Sequence, residues 1–172
     1  MDFPKKVDIP SAWRGEFMQK HPDLWLWELD SHEIREIEKA AEQFIRNGES
    51  LGKISKENFA LPNRGSKISK LQSKLRDGIG FTLVRGLPVE EYNAEQYSTI
   101  FCGIGSHIGG VRSQNAAGHL LGHVRDVGVD IKDPKARVYQ TTARQHFHTD
   151  SCDVVGLLCL KEAKEGGISM LA

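Results

Sequence analysis

Neither sign of charge is in surplus in this chain of 172 residues, since Lys plus Arg and Asp plus Glu both come to 23. A nucleic-acid or anionic-membrane ligand is normally met by a basic excess, so bulk charge points to neither. No apolar run approaches the roughly 20 residues that span a bilayer. The opening Met1-Asp2-Phe3-Pro4-Lys5-Lys6 is not followed by the apolar core of a secretory leader. Cysteine is scarce and odd in number, and Cys102, Cys152 and Cys159 form no Cys-x-x-Cys pair. Three free thiols in a reducing compartment account for them, and free Cys is among the most buried residue types. No internal repeat or low-complexity tract is present. The expectation is a soluble cytoplasmic protein with neither nucleic acid nor membrane as partner.

Hydrophobic residues at 39% and charged ones at 27% are ordinary globular values, which excludes wholesale disorder. A chain of this length is roughly one domain, and it can bury about 70% of its unfolded surface without help from disulfides or a structural metal. Residues 1–29 read as an irregular N-terminal arm, separate from a main portion at 30–172. Trp13, Phe17, Leu24, Trp25, Leu26 and Trp27 are too much apolar surface for a solvated tail, so the arm is expected to pack on the body. A helix should open at Asp30, with Glu33 completing a capping box. Ile34, Ile37, Ala41, Phe44 and Ile45 form its apolar stripe, and Asn47-Gly48 stops it.

A short helix is expected within 53–76, where Ile68, Leu71 and Leu75 fall at helical spacing and the lysines mark a solvated face. Gly78 to Gly86 reads as a short buried strand bounded by glycines. Asn93 with Gln96 opens another helix, whose apolar face is Tyr97, Ile100, Phe101, Ile104 and Ile108. Gly103 and Gly105 within it suggest close packing. Beyond residue 109 the texture turns β-like, in Leu120–Arg125, Arg137–Thr142 and Val154–Leu160. Helices first and strands later predict an α+β fold, its mostly antiparallel sheet or roll building toward the C-terminus.

The densest chemistry lies in Gln145-His146-Phe147-His148-Thr149-Asp150-Ser151-Cys152-Asp153. In an extended segment His148 and Asp150 leave the same face, with Cα atoms roughly 6.5–7 Å apart. One imidazole nitrogen and one carboxylate oxygen can then converge on an ion with bonds of about 2 Å. Such a pair supplies two members of the two-His, one-carboxylate triad of non-haem Fe(II) oxygenases. A hydrogen-bonded His–Asp pair, or plain surface residues, would show the same spacing. His146 shares the parity, but about 13 Å would separate it from Asp150 in a regular strand, so it reads as a neighbour rather than a ligand.

The run from Phe147-His148-Thr149-Asp150 through Val154-Val155-Gly156-Leu157-Leu158-Cys159-Leu160 resembles the taurine dioxygenase-like group of Fe(II)/2-oxoglutarate-dependent oxygenases. That group includes the dichlorophenoxyacetate dioxygenases. Further matching stretches follow in order: Phe81-Thr82-Leu83-Val84-Arg85-Gly86-Leu87-Pro88, Ser113-Gln114-Asn115, Leu120-Leu121-Gly122-His123-Val124-Arg125-Asp126 and Gly166-Gly167-Ile168-Ser169. The resemblance implies a double-stranded β-helix, or jelly roll, of the clavaminate synthase-like kind, with N-terminal helices packed outside it. It implies His148 and Asp150 as iron ligands. It also makes Ser169 a hydroxyl donor to the distal carboxylate of 2-oxoglutarate, although a strand-edge serine would look the same. Asn115 falls near the implied substrate mouth, where an Asx turn would explain it equally well. His107, His119 and His123 read as structural or surface residues.

Family members continue past the Gly-Gly with a second ligating His and an Arg that clamps 2-oxoglutarate by a bidentate ion pair. Neither has a position in this sequence, which ends at Ala172. The expectation is therefore a roll cut short before completion, with an open sheet edge that invites self-association or a partner chain. The implied activity is hydroxylation of a small organic substrate, with oxidative decarboxylation of 2-oxoglutarate to succinate. Two other readings stay open. One is a catalytically inactive remnant or half-domain, and the other is a divalent-metal binding module.

Overall fold

The computed structural model describes residues 7–63, 65–115, 118–133 and 136–166. The chain divides into two compact units, Met1–Gly110 and Val111–Ala172. The first unit is α+β. It carries α1 (Gly15–Lys20), β1 (Leu26–Glu28), α2 (Ser31–Arg46), α3 (Gly65–Asp77), β2 (Leu83–Arg85) and α4 (Ala94–Ser106).

Local chemistry sets the bounds of α2. The Asp30 carboxylate accepts from the backbone N–H groups of His32 and Glu33 at 2.8 and 2.9 Å, and Glu33 Oε2 accepts from Asp30 N at 2.8 Å. This reciprocal box satisfies donors that the first helical turn would otherwise leave orphaned. The helix ends at Asn47, and Gly48 follows in the left-handed region at φ +68°, which a residue without Cβ adopts cheaply. Its buried face is Ile37, Ala40, Ala41 and Phe44, joined unexpectedly by Glu33; Ile34 and Ile45 are only half-buried. A second box, between Asn93 and Gln96, opens α4. The helix buries Thr99, Ile100, Cys102 and Gly103, while Tyr97, Phe101, Ile104 and Ile108 lie half-buried.

Helices α2 and α4 pack on each other. The core unites Leu29, Ile37, Ala40, Ala41, Phe59, Leu61, Ile68 and Ile100. Gly103 is required here because a Cβ at that position would meet the Phe59 ring at 2.4 Å, whereas nothing lies within 4 Å of one at Gly105. The close packing expected of both glycines thus holds for Gly103 alone. On α3, Ile68 and Leu71 are buried and Leu75 half-buried. The lysines of α3 are not all solvated, however. Lys67 bonds the buried Glu33 carboxylate and lies 4.6 Å from the centroid of the Trp27 ring.

Residues before Asp30 carry more regular structure than the sequence suggests. Strand β1 pairs in parallel with β2, in the register Leu26↔Leu83, Trp27↔Val84 and Glu28↔Arg85. Trp13 donates its indole N–H to Ile79 O at 2.9 Å, and its ring lies 5.0 Å from that of Phe81. The strand foreseen at 78–86 is confined to Leu83–Arg85. It is not buried, because only Val84 is half-covered between exposed neighbours.

The sheet therefore departs from the sequence expectation. It is parallel, two-stranded and in the first unit, where an antiparallel sheet toward the C-terminus was expected. Parallel neighbours need a long crossover, and α2 and α3 supply one. Among the described residues of the second unit there is no strand, so Leu120–Arg125, Arg137–Thr142 and Val154–Leu160 are not the strands their composition suggests. Extended segments become a sheet only through ladders of backbone bonds. Here the links between the first two pieces are Arg125 N to Tyr139 O at 3.1 Å and, just beyond, Val127 N to Gln140 O at 3.0 Å. The turn of 3₁₀ helix at Val138–Gln140 coils the backbone that would have continued the pairing. Val154, Val155, Leu157 and Leu160 are exposed. Among the described residues no helix is long and apolar enough to cross a membrane.

Candidate metal centre

The segment from Thr142 to Leu157 is exposed throughout, and His148-Thr149-Asp150 lies between bends at Phe147 and Ser151–Asp153. Packing does not hold these side chains, so local hydrogen bonds must. The His148 ring makes two. Its Nδ1 lies 2.8 Å from His146 O, and its Nε2 lies 3.1 Å from the Gln145 carboxamide nitrogen. A carbonyl oxygen only accepts, so Nδ1 carries the ring proton in this contact. Metal-ligating imidazoles commonly present a lone pair on one nitrogen while the other N–H binds a backbone carbonyl. In this tautomer the lone pair of the His148 ring lies on Nε2. His146 contributes through its main chain.

Asp150, two residues on, is exposed as well, and an imidazole with a carboxylate is in chemical type a donor set suited to Fe(II) and its divalent neighbours. Among the described residues no three His, Cys, Asp or Glu side chains gather into a metal-binding group. Ser169, the residue suggested for 2-oxoglutarate, lies outside the described residues.

Asn115 sits in a turn of its own making. Its backbone oxygen accepts from Ser113 Oγ at 2.7 Å and from Gly118 N at 3.0 Å. Its carboxamide meets His119 twice, with Nδ2 2.9 Å from the ring Nδ1 and Oδ1 accepting from the backbone N–H at 3.2 Å. The same side of the turn opens on a cavity of about 190 Å³, whose wall includes His123, Arg125 and Tyr139.

The thiols divide by environment. Cys102 is buried in α4 and burial pushes its thiol up, whereas Cys152 and Cys159 are exposed. Gln145 is the residue at the centre that sequence reasoning missed. Its position three before His148 was the available signal, but only the bent backbone brings the two side chains together.

Comparison with known proteins adds an independent line. The family described as Taurine catabolism dioxygenase TauD, TfdA family matches residues 46–172, a span that includes His148 and Asp150. FR-33289 synthase of Streptomyces rubellomurinus (strain ATCC 31215) is 30% identical over 164 residues, covering 95% of this chain and 48% of that protein. The taurine hydroxylase-like protein SAT17 of Stachybotrys chartarum (strain CBS 109288 / IBT 7711) is 29% identical over 175 residues, covering 97% of this chain and 45% of that protein. The chain spans about half the length of the curated relatives it matches.

Proposed function

We propose, because the chain belongs to the taurine catabolism dioxygenase TauD, TfdA family, that it serves an Fe(II)/2-oxoglutarate-dependent dioxygenase that hydroxylates a small organic substrate. The observation that carries the reading is the family match across the His148-Thr149-Asp150 motif. On this reading residues 30–172 are the N-terminal portion of the catalytic domain, preceded by an arm at 1–29. The family implies a jelly-roll fold for that domain.

Iron, 2-oxoglutarate and O₂ together supply the oxidation that turns a substrate C–H into C–OH while 2-oxoglutarate becomes succinate and CO₂. The chain's residues bind and orient. His148 would hold the iron through its Nε2 lone pair and Asp150 through a carboxylate oxygen. The His146 carbonyl holds the Nδ1 proton and with it the ring's orientation. By its resemblance to the family, Ser169 would supply a hydroxyl donor to the distal carboxylate of 2-oxoglutarate. Asn115 orients the substrate from its turn. The second His and the clamping Arg of the family match no position among these residues.

A second reading, divalent-metal binding without turnover, needs only the imidazole and carboxylate donors of His148 and Asp150. One experiment separates the two. The full-length protein carrying this sequence is loaded anaerobically with Fe(II) and 2-oxoglutarate, exposed to O₂, and assayed for succinate. Succinate is expected, and His148→Ala and Asp150→Ala should each abolish it. Metal binding with no succinate supports the second reading, and a variant that keeps its activity refutes its ligand role.

A further inference from the structure

We infer that Val154–Leu160 is a docking segment for the other half of the full-length polypeptide, and that residues 142–166 take their order from that half rather than from a core of their own. The inference goes beyond the dioxygenase reading and does not depend on iron.

Every buried residue of the described structure lies between Met18 and Gly103, and none lies in 111–166. Yet Val154-Val155-Gly156-Leu157-Leu158-Cys159-Leu160 has the continuous apolar composition of a strand covered on both faces. Here Val155 is 53% exposed and Leu157 80%. The main chain is as bare as the side chains. No backbone–backbone hydrogen bond involves a described residue from 142 to 166. Among the described residues the run's main chain receives only the Cys152 thiol, at Val154 O. Unpaired donors and acceptors along an apolar run are a template for added strands.

The area at stake is large. Two separate compact bodies the sizes of Met1–Gly110 and Val111–Ala172 would together expose roughly 10,000 Å². The chain exposes 13583 Å². A transient partner covers about 800 Å² on its side, so the surplus calls for an obligate one. A second copy of the chain does not fill the role, because pairing the run with itself satisfies one edge and leaves the other bare. The matched relatives point to the occupant. This chain covers 48% and 45% of their lengths, so about as much polypeptide again is there to flank the run.

The test is amide hydrogen exchange, read by mass spectrometry without metal, on this chain alone and on the full-length protein. The amides of α2 and α4 should be protected in both. Those of 142–166 should exchange within about 10-fold of the unprotected rate in the chain alone, and at least about 100-fold more slowly in the full-length protein. Leu157→Asp supplies a second measurement. It should leave the thermal unfolding of this chain unchanged, because the side chain is exposed, and lower the Tm of the full-length protein. Protection of 142–166 in the monomeric chain alone overturns the inference, and so does its absence from the full-length protein. Protection that rises with the concentration of the chain, together with a dimer in sedimentation, makes a second copy the occupant and overturns the choice made here. An equal effect of Leu157→Asp on both proteins, or none on either, overturns the docking role of the run. Because no metal is present, these outcomes are independent of the succinate assay that tests the dioxygenase reading.

Discussion

Replacing Gly103 by Ala should destabilise the first unit, although the change improves helix propensity. The new Cβ would stand 2.4 Å from Cδ2 and Cε2 of Phe59 and 2.5 Å from Cγ. Carbon atoms in contact prefer about 3.5–4.0 Å, so roughly 1 Å of movement is needed. The ring has nowhere to go. Phe59 is fully buried, its backbone N–H is bonded to Ser55 O at 2.9 Å, and its carbonyl faces His107 Nε2 at 2.7 Å. Overpacking of this kind costs about 3 kcal/mol at the upper end of its usual range, and exchanging Gly for Ala in a helix returns about 1. The net loss is about 2 kcal/mol, or ~4–8 °C in Tm for a chain of this size. Gly105→Ala, in the same helix with nothing within 4 Å, serves as the control and should raise Tm by ~2–4 °C. Thermal and urea unfolding followed by circular dichroism measure both. Phe59→Leu should recover part of the Gly103→Ala loss, beyond what adding the two single effects predicts. A Gly103→Ala protein as stable as the wild type would refute the packing of Phe59 against α4.

The buried Glu33 predicts an acid-sensitive contribution to stability. Burial alone would raise its pKa, but the Lys67 ammonium, the Asp30 N–H and the Trp27 indole outweigh it and hold the carboxyl below its usual range. A folded-state pKa below the unfolded one stabilises at pH values above the unfolded value of about 4.3. The contribution is lost as pH falls through the lower folded value. Glu33→Gln should therefore cost about 1.5 kcal/mol at pH 7, the low end for bonds to a charged group, because Lys67 is partly exposed and stays hydrated. Urea titrations of the two proteins should converge below about pH 4, and a gap independent of pH would refute the assignment. Thiol labelling should modify Cys152 and Cys159 readily while Cys102 reacts only on unfolding, and fast labelling of all three would contradict the burial of α4.

Where a structural decision is made locally, the sequence is legible. Asp30 with Glu33 and Asn93 with Gln96 announce helix starts that the structure places at Ser31 and Ala94, and Asn47-Gly48 marks an end. Decisions made at a distance are not legible. Glu33 reads as a capping residue, and its second role, neutralising Lys67 from α3, depends on how α2 and α3 meet. Nothing local in Leu26–Glu28 names Leu83–Arg85 as its partner. The segments of the second unit have β-like composition, but composition does not supply the paired backbone that turns an extended run into a strand. At the metal centre the spacing of His148 and Asp150 is readable, while the contact of Gln145 with His148 depends on backbone bends that spacing does not encode.

The parallel pairing of β1 with β2 also carries a kinetic consequence. Leu26 and Leu83 are register partners 57 positions apart, so the sheet can form only after a long loop has closed. Loop closure must be met before the pairing returns any energy, whereas the capped α2 and α4 can begin from local contacts. The ordering expected in refolding is helix first and sheet late. Trp25 reports the late event directly, because its carbonyl accepts from Leu83 N at 2.8 Å and its ring stacks 6.1 Å from that of Phe81. In stopped-flow refolding, tryptophan fluorescence should therefore lag the far-ultraviolet helix signal, and the lag should shorten when the connection between the strands is trimmed at its exposed turns.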